Sequence, residues 1–177
     1  MAIDHVKSTP VTNLDAVPVV QVTAGEGGPA ALKNVSSGDV IGIAASSIGA
    51  TYQFVRVASN CKIKRVEFDS EAQAAGAIDI GVYYATDGIG GKPTALLAAA
   101  AISQAFFASA VALTAASQPT NVTNESGTYT PAKRNQPLWQ ALGLASDPGG
   151  NFDIVGTVTT AITTGTGKMG LNVDYTD

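Results

Sequence analysis

The run Phe152-Asp153-Ile154-Val155-Gly156-Thr157-Val158-Thr159-Thr160-Ala161-Ile162, followed by Gly165-Thr166-Gly167 and then Met169-Gly170-Leu171-Asn172-Val173-Asp174-Tyr175, decides the fold class. The first part is rich in β-branched residues, and its two-residue period places Phe152, Ile154, Val158 and Ile162 on one face. The last part places Met169, Leu171, Val173 and Tyr175 on one side and Gly170, Asn172 and Asp174 on the other. With the Gly-Thr-Gly turn between them, the two runs read as a β-hairpin.

The same period recurs outward from this segment. Residues 39–44 and 52–57 read as strands, the latter with Tyr52, Phe54 and Arg56 on one face and Gln53, Val55 and Val57 on the other. Residues 61–69 set Val66 and Phe68 against Arg65, Glu67 and Asp69, and residues 78–84 alternate with Ile78, Ile80 and Val82 inward. Asp87-Gly88 and Gly90-Gly91 form a turn. The uncharged stretch 95–112 reads as a loop or short helix followed by a buried strand; half of it is alanine and Ser103-Gln104 lies near its centre, which argues against a membrane span. Residues 119–133 are rich in Thr, Asn, Ser and Gly and read as a long loop. Pro137 at a first helical position, with Leu138, Ala141, Leu142 and Ala145 at helical spacing, supports one short helix, with a strand as the rival assignment.

Seven to nine short strands separated by Gly and Pro turns indicate an all-β chain, a single jelly-roll-like sandwich with one or two short helices. The strand order is not legible. The sandwich is expected over 39–177. Before it, residues 1–38 mix Pro10, Pro18 and Pro29 with Gly25, Gly27 and Gly28, as an extended arm would; Val17, Val19, Val20 and Val22 mark the one strand in it. Such an arm can lie across a neighbouring subunit, so these four valines are candidate contact residues, together with Trp139, the only tryptophan. Trp139, with Leu138 and Leu142, plugs the core or a subunit contact.

Composition narrows the function. Of 177 residues only 14% are charged, and mean hydropathy is +0.18. A chain so poor in charge is expected to cover part of its surface with copies of itself or with a partner. A net charge of −4 argues against nucleic-acid binding, which relies on clustered Lys and Arg. The nearest basic cluster, Lys62, Lys64 and Arg65, precedes Glu67 and Asp69 and reads as a salt-paired surface. The N-terminal residues lack a basic segment followed by an apolar one, so no secretion signal is expected.

Catalytic constellations fail on inspection. Cys61 is the only cysteine and His5 the only histidine, the latter in the arm, so neither a disulfide nor an activated thiol is expected; Cys61 reads as a small buried hydrophobe. Gly88-Ile89-Gly90-Gly91-Lys92-Pro93 misses the phosphate-loop pattern, with Thr86 and Pro93 where Gly and Ser/Thr are needed. No Gly-x-Ser-x-Gly elbow is present. Asp147, Asp153, Asp174 and Asp177 follow no calcium-loop spacing; Asp147 reads as a turn former and the C-terminal pair as solvated. No cofactor and no metal are expected. Tyr52, Tyr83, Tyr84, Tyr129 and Trp139 could line a sugar groove, but core packing is the simpler reading.

Pro137-Leu138-Trp139-Gln140-Ala141-Leu142-Gly143-Leu144 with Asp147-Pro148-Gly149-Gly150-Asn151-Phe152-Asp153-Ile154, together with Ala77-Ile78-Asp79-Ile80-Gly81-Val82-Tyr83 and Phe106-Phe107-Ala108-Ser109-Ala110, resembles a small family of tailed-bacteriophage head proteins. Its members are the capsid decoration, or cement, proteins of short-tailed Bordetella-type phages. The resemblance implies a non-enzymatic virion protein that binds the outside of the capsid and stabilises the shell. It implies homotrimers seated among the major capsid proteins, assembled in the host cytoplasm, with no membrane or nucleic-acid partner. A receptor- or carbohydrate-binding module of a tail or head fibre is the alternative.

Overall fold

A computed structural model describes residues 31–41, 46–85, 101–162 and 167–177. Nine strands form within them: β1 (Lys33–Ser36), β2 (Val40–Ile41), β3 (Thr51–Ala58), β4 (Lys62–Ser70), β5 (Ala77–Tyr84), β6 (Ala101–Ala112), β7 (Ser117–Asn121), β8 (Asn151–Thr160) and β9 (Lys168–Thr176). One sheet runs β1-β9-β4-β7, with β2 also paired to β9; the other runs β3-β8-β5-β6. All pairings are antiparallel and nested, β1 with β9, β3 with β8, β4 with β7 and β5 with β6. A long hairpin rolled into two facing sheets has this order, which is the jelly roll.

The nesting corrects the expected terminal hairpin. β8 and β9 do form, but they belong to opposite sheets: β8 pairs β3 and β5, and β9 pairs β1, β2 and β4. Alternation along a strand reports which face is buried, not which strand lies beside it. At the start of the crossing, Ile162 is completely buried and its N–H donates to the Ser46 carbonyl, 3.0 Å away. The turn residues Gly165 and Thr166 lie outside the described residues, as do 42–44 of the expected strand 39–44, the turn at 87–91 and residues 95–100.

The inner faces meet in one core. Ile63, Val66, Ile78, Ile80, Val82, Phe152, Ile154 and Val173 have no exposed surface. Phe54 meets Phe68 edge-on across the sheets, with ring centroids 6.0 Å apart.

Two strands carry bulges that change the faces read from sequence. In β3 the register against β8 shifts between Gln53 and Val55. Tyr52 and Phe54 are buried before the shift, Val55 and Val57 after it, and Gln53 and Arg56 both point outward. Arg56 therefore does not share a face with Tyr52 and Phe54, because the extra residue inverts the phase. In β6, Ser103 pairs with Val82 and Ala108 with Ile80, so five steps on β6 match two on β5. This bulge lets the adjacent Phe106 and Phe107 both bury, the first tilted and the second edge-on against Tyr129, with ring centroids 5.3 Å apart in each pair.

The bulge also folds β6 backbone over Gly81, where an added Cβ would crowd the Ser103 and Gln104 carbonyl oxygens. Ala110, with φ of 52°, turns its N–H to the Asp79 carboxylate at 2.8 Å.

The segment read as a loop over 119–133 is partly strand. β7 takes Ser117 to Asn121, polar and exposed because it is a sheet edge, the position where Pro119 is tolerated. The following turns close over the other exposed edge: Ser126 N–H and Oγ bond the Phe107 and Phe106 carbonyls at 2.9 Å each, and the Glu125 carboxylate accepts from Ser109 N at 2.6 Å. The middle of this uncharged strand edge is thereby covered.

Candidate interaction surface

Trp139 is the predicted contact residue that falls among the described residues; Val17, Val19, Val20 and Val22 lie outside them. The helix that carries it, α1 (Leu138–Ala141), is a single turn with Pro137 at its N-cap rather than at its first helical position. A helix this short has almost no intrinsic stability, so tertiary contacts must hold it. Leu138 N–H donates to the Cys61 carbonyl at 2.8 Å and Trp139 N–H to the Ser59 carbonyl at 3.1 Å, docking the turn onto the β3–β4 connection. Leu138 and Ala141 are buried beneath it.

The far end of this segment is clasped to the same connection. Ser59 N–H donates to the Gly150 carbonyl at 2.9 Å, and the Ser59 hydroxyl donates to Asp147 Oδ1 at 2.7 Å. The same Asp147 oxygen accepts the Gly149 N–H at 2.8 Å, so Asp147 is the turn former the sequence suggested. Between the clasps, Trp139, Leu142 and Leu144 are half-buried against the core, with Gln140, Gly143 and Ala145 exposed. Residues 135–146 contain no charged side chain. The result is an uncharged cap on one end of the sandwich, in which Trp139, Leu142 and Leu144 pack against the core and are only partly exposed. Such a cap suits protein contact, where tryptophan combines large area with few rotatable bonds.

The carboxylates are committed to strand surfaces. Asp153 has no exposed side-chain area and accepts from Arg56 Nε at 2.6 Å, Arg56 Nη2 at 2.9 Å and Gln53 Nε2 at 2.6 Å. The β3 bulge is what brings both donors to it. Asp79 accepts from Gln104 Nε2 at 2.9 Å besides Ala110 N. Asp174, expected to be solvated, is instead 8% exposed, bonded by Arg65 Nε at 2.9 Å and Asn34 Nδ2 at 2.7 Å. Arg65 also pairs Glu67 at 3.2 Å, the salt-paired surface expected around the basic cluster. Asp177 remains exposed and pairs with Lys33.

Cys61 is fully buried, and loss of solvation pushes its thiol up to about 12, with the Asp177 charge adding to the shift. A thiol so placed is a packing residue. Tyr52, Tyr83 and Tyr129 are buried, so the aromatic groove considered from sequence does not form from them; Tyr83 donates or accepts with Thr157 Oγ1 at 2.5 Å, and Tyr129 donates to the Ile63 carbonyl at 2.6 Å.

A cleft of about 360 Å³ lies beside β7, lined by Asp39, Asp69, Glu71, Ser117, Lys168 and Met169 among others. Lys168 answers Asp39 at 2.8 Å, and its N–H donates to Glu71. Among the described residues no group of three His, Cys, Asp or Glu is placed to hold a metal ion, and no helix is long and apolar enough to cross a membrane.

No protein-family model and no curated protein matches this sequence. Among solved structures, the chain is similar to a protein of the cyanophage Pam1 capsid asymmetric unit, with 16% sequence identity and a TM-score of 0.50. The match covers 92% of this chain and 96% of that one. At this identity the similarity is one of fold.

Proposed function

We propose that this chain is a structural protein of a phage virion that decorates the capsid from outside and stabilises the shell without catalysis. The observation that carries the proposal is the end-to-end jelly-roll match, 92% against 96% of the two chains, to a protein from a phage capsid asymmetric unit. The cap supports it by offering an uncharged surface around a partly exposed tryptophan, Trp139. The low charge content of the chain supports it as well.

The mechanism is linkage. A protein that binds the assembled shell across several subunits, and not separated subunits, favours the assembled state by mass action. Many symmetric copies, self-associated on the lattice, multiply a modest contact through effective concentration. The test is co-sedimentation with heads lacking the protein, beside separated capsid subunits. Saturable binding to heads alone, with improved survival of heat, is the expected result; equal binding to separated subunits would exclude linkage.

A further inference from the structure

We propose that β1 is an exchangeable strand, donated in assemblies to β9 of a second copy of this chain. Among the described residues β1 is the outermost strand of its sheet and touches only β9 within it. Three of its four residues are exposed, and Val35, partly buried, is the one that packs against the core, so the strand itself buries little apolar surface.

Besides its main-chain ladder to β9, β1 is held by residue-specific polar contacts. Asn34 Nδ2 donates to Asp174 Oδ1 at 2.7 Å, Lys33 pairs with Asp177, and Ser37 Oγ accepts the Leu171 N–H at 2.9 Å. Every copy presents the same Asp174, Leu171 and Asp177, so β1 meets an identical receptor on a neighbour. The connection to β2 is Ser37-Gly38-Asp39; Gly38 has φ of +61° and nothing within 4 Å of where a side chain would start. A hinge there can redirect β1 without displacing packed atoms. Exchange would tie copies together by chain continuity, so it deepens the linkage reading and rests on it only in requiring copies to meet.

The test uses no heads, so it fails separately from capsid binding. One tagged copy carries Asn34→Cys and another Asp174→Cys, residues opposed in the β1–β9 register. The two are co-refolded at high concentration and oxidised; the native Cys61, fully buried, stays silent. Exchange predicts a disulfide between the two different copies at several-fold higher yield than between like copies. Equal yields in mixed and like pairs, with one chain carrying both substitutions closing fully on itself, would overturn the proposal. That doubly substituted chain also reports that the fold survives, and the Val35→Cys with Val173→Cys pair repeats the test on the inward register.

Discussion

Replacing Gly81 by alanine probes the β5–β6 bulge most sharply. A Cβ built there would lie well inside the 3.0 Å that real Cβ atoms observe, and the obstructing atoms are the Ser103 and Gln104 carbonyl oxygens, not side chains. No rotamer change relieves a backbone clash, so β6 must retreat from β5 on the order of 1 Å to reach ordinary contact. Two ladder positions flank the site, Ile80 with Ala108 and Val82 with Ser103. Losing hydrogen bonds there costs about 1–3 kcal/mol for each group left unsatisfied. Alanine restores roughly 0.5–1 kcal/mol through its smaller unfolded-state entropy. For one group at each of the two positions, a net loss of about 1–5 kcal/mol follows, a large share of the ~5–15 kcal/mol typical of a domain. Urea unfolding followed by circular dichroism measures it. Gly156→Ala is the internal control: there the obstruction is Phe54 Cε2 at 2.7 Å, with Ile78 Cδ1 at 3.2 Å. Phe54→Leu should recover part of the Gly156→Ala loss and none of the Gly81→Ala loss. A Gly81→Ala protein within about 1 kcal/mol of wild type, or one rescued by trimming a side chain, would refute the backbone-contact reasoning.

Three further outcomes are expected. Arg56→Ala leaves the buried Asp153 with Gln53 as a remaining donor; because the Arg56 side chain is 39% exposed, the loss should be about 2–3 kcal/mol, below the full cost of breaking a buried pair, and a loss under ~0.5 kcal/mol would contradict it. Burial raises the Cys61 thiol to about 12 and raises Tyr129 in the same direction, so both contribute stability that is present below their unfolded values and is lost as pH rises. Unfolding free energy should therefore decline from about pH 9 upward, less steeply in Cys61→Ala, and a rise over that range would contradict the assignment. Trp139→Ala should lower stability by about 1–2 kcal/mol, since the ring is only half-buried, yet abolish most head binding; unchanged binding would move the contact surface away from the cap.

Much of the architecture was legible because the core faces obey a simple period. Val66 with Phe68, and Ile78 with Ile80 and Val82, are buried as their alternation indicated. The failures share a cause: the deciding feature lay on another strand. Asn151–Thr160 and Lys168–Thr176 looked like a hairpin because adjacent strands with a glycine turn usually pair, whereas nesting sends successive strands to opposite sheets. The phase flip at Arg56 needs the bulge, and the bulge is visible only in register with β8. β7 looked like a loop because its residues face solvent at an edge and include Pro119. Within the candidate surface, Trp139 stood out by its rarity. Ser59 and Asp147, which clasp the cap from 88 positions apart, carried no signal in the sequence beyond the Asp-Pro-Gly turn.

Adding the purified protein to heads that lack it, and counting bound copies per capsomer after sedimentation, decides whether the chain decorates the capsid. A decoration protein gives saturation at a fixed ratio, no binding to separated capsid subunits, and heads that survive heating which empties the bare shells. Absence of saturable binding, with bare and treated heads failing at the same temperature, would contradict it.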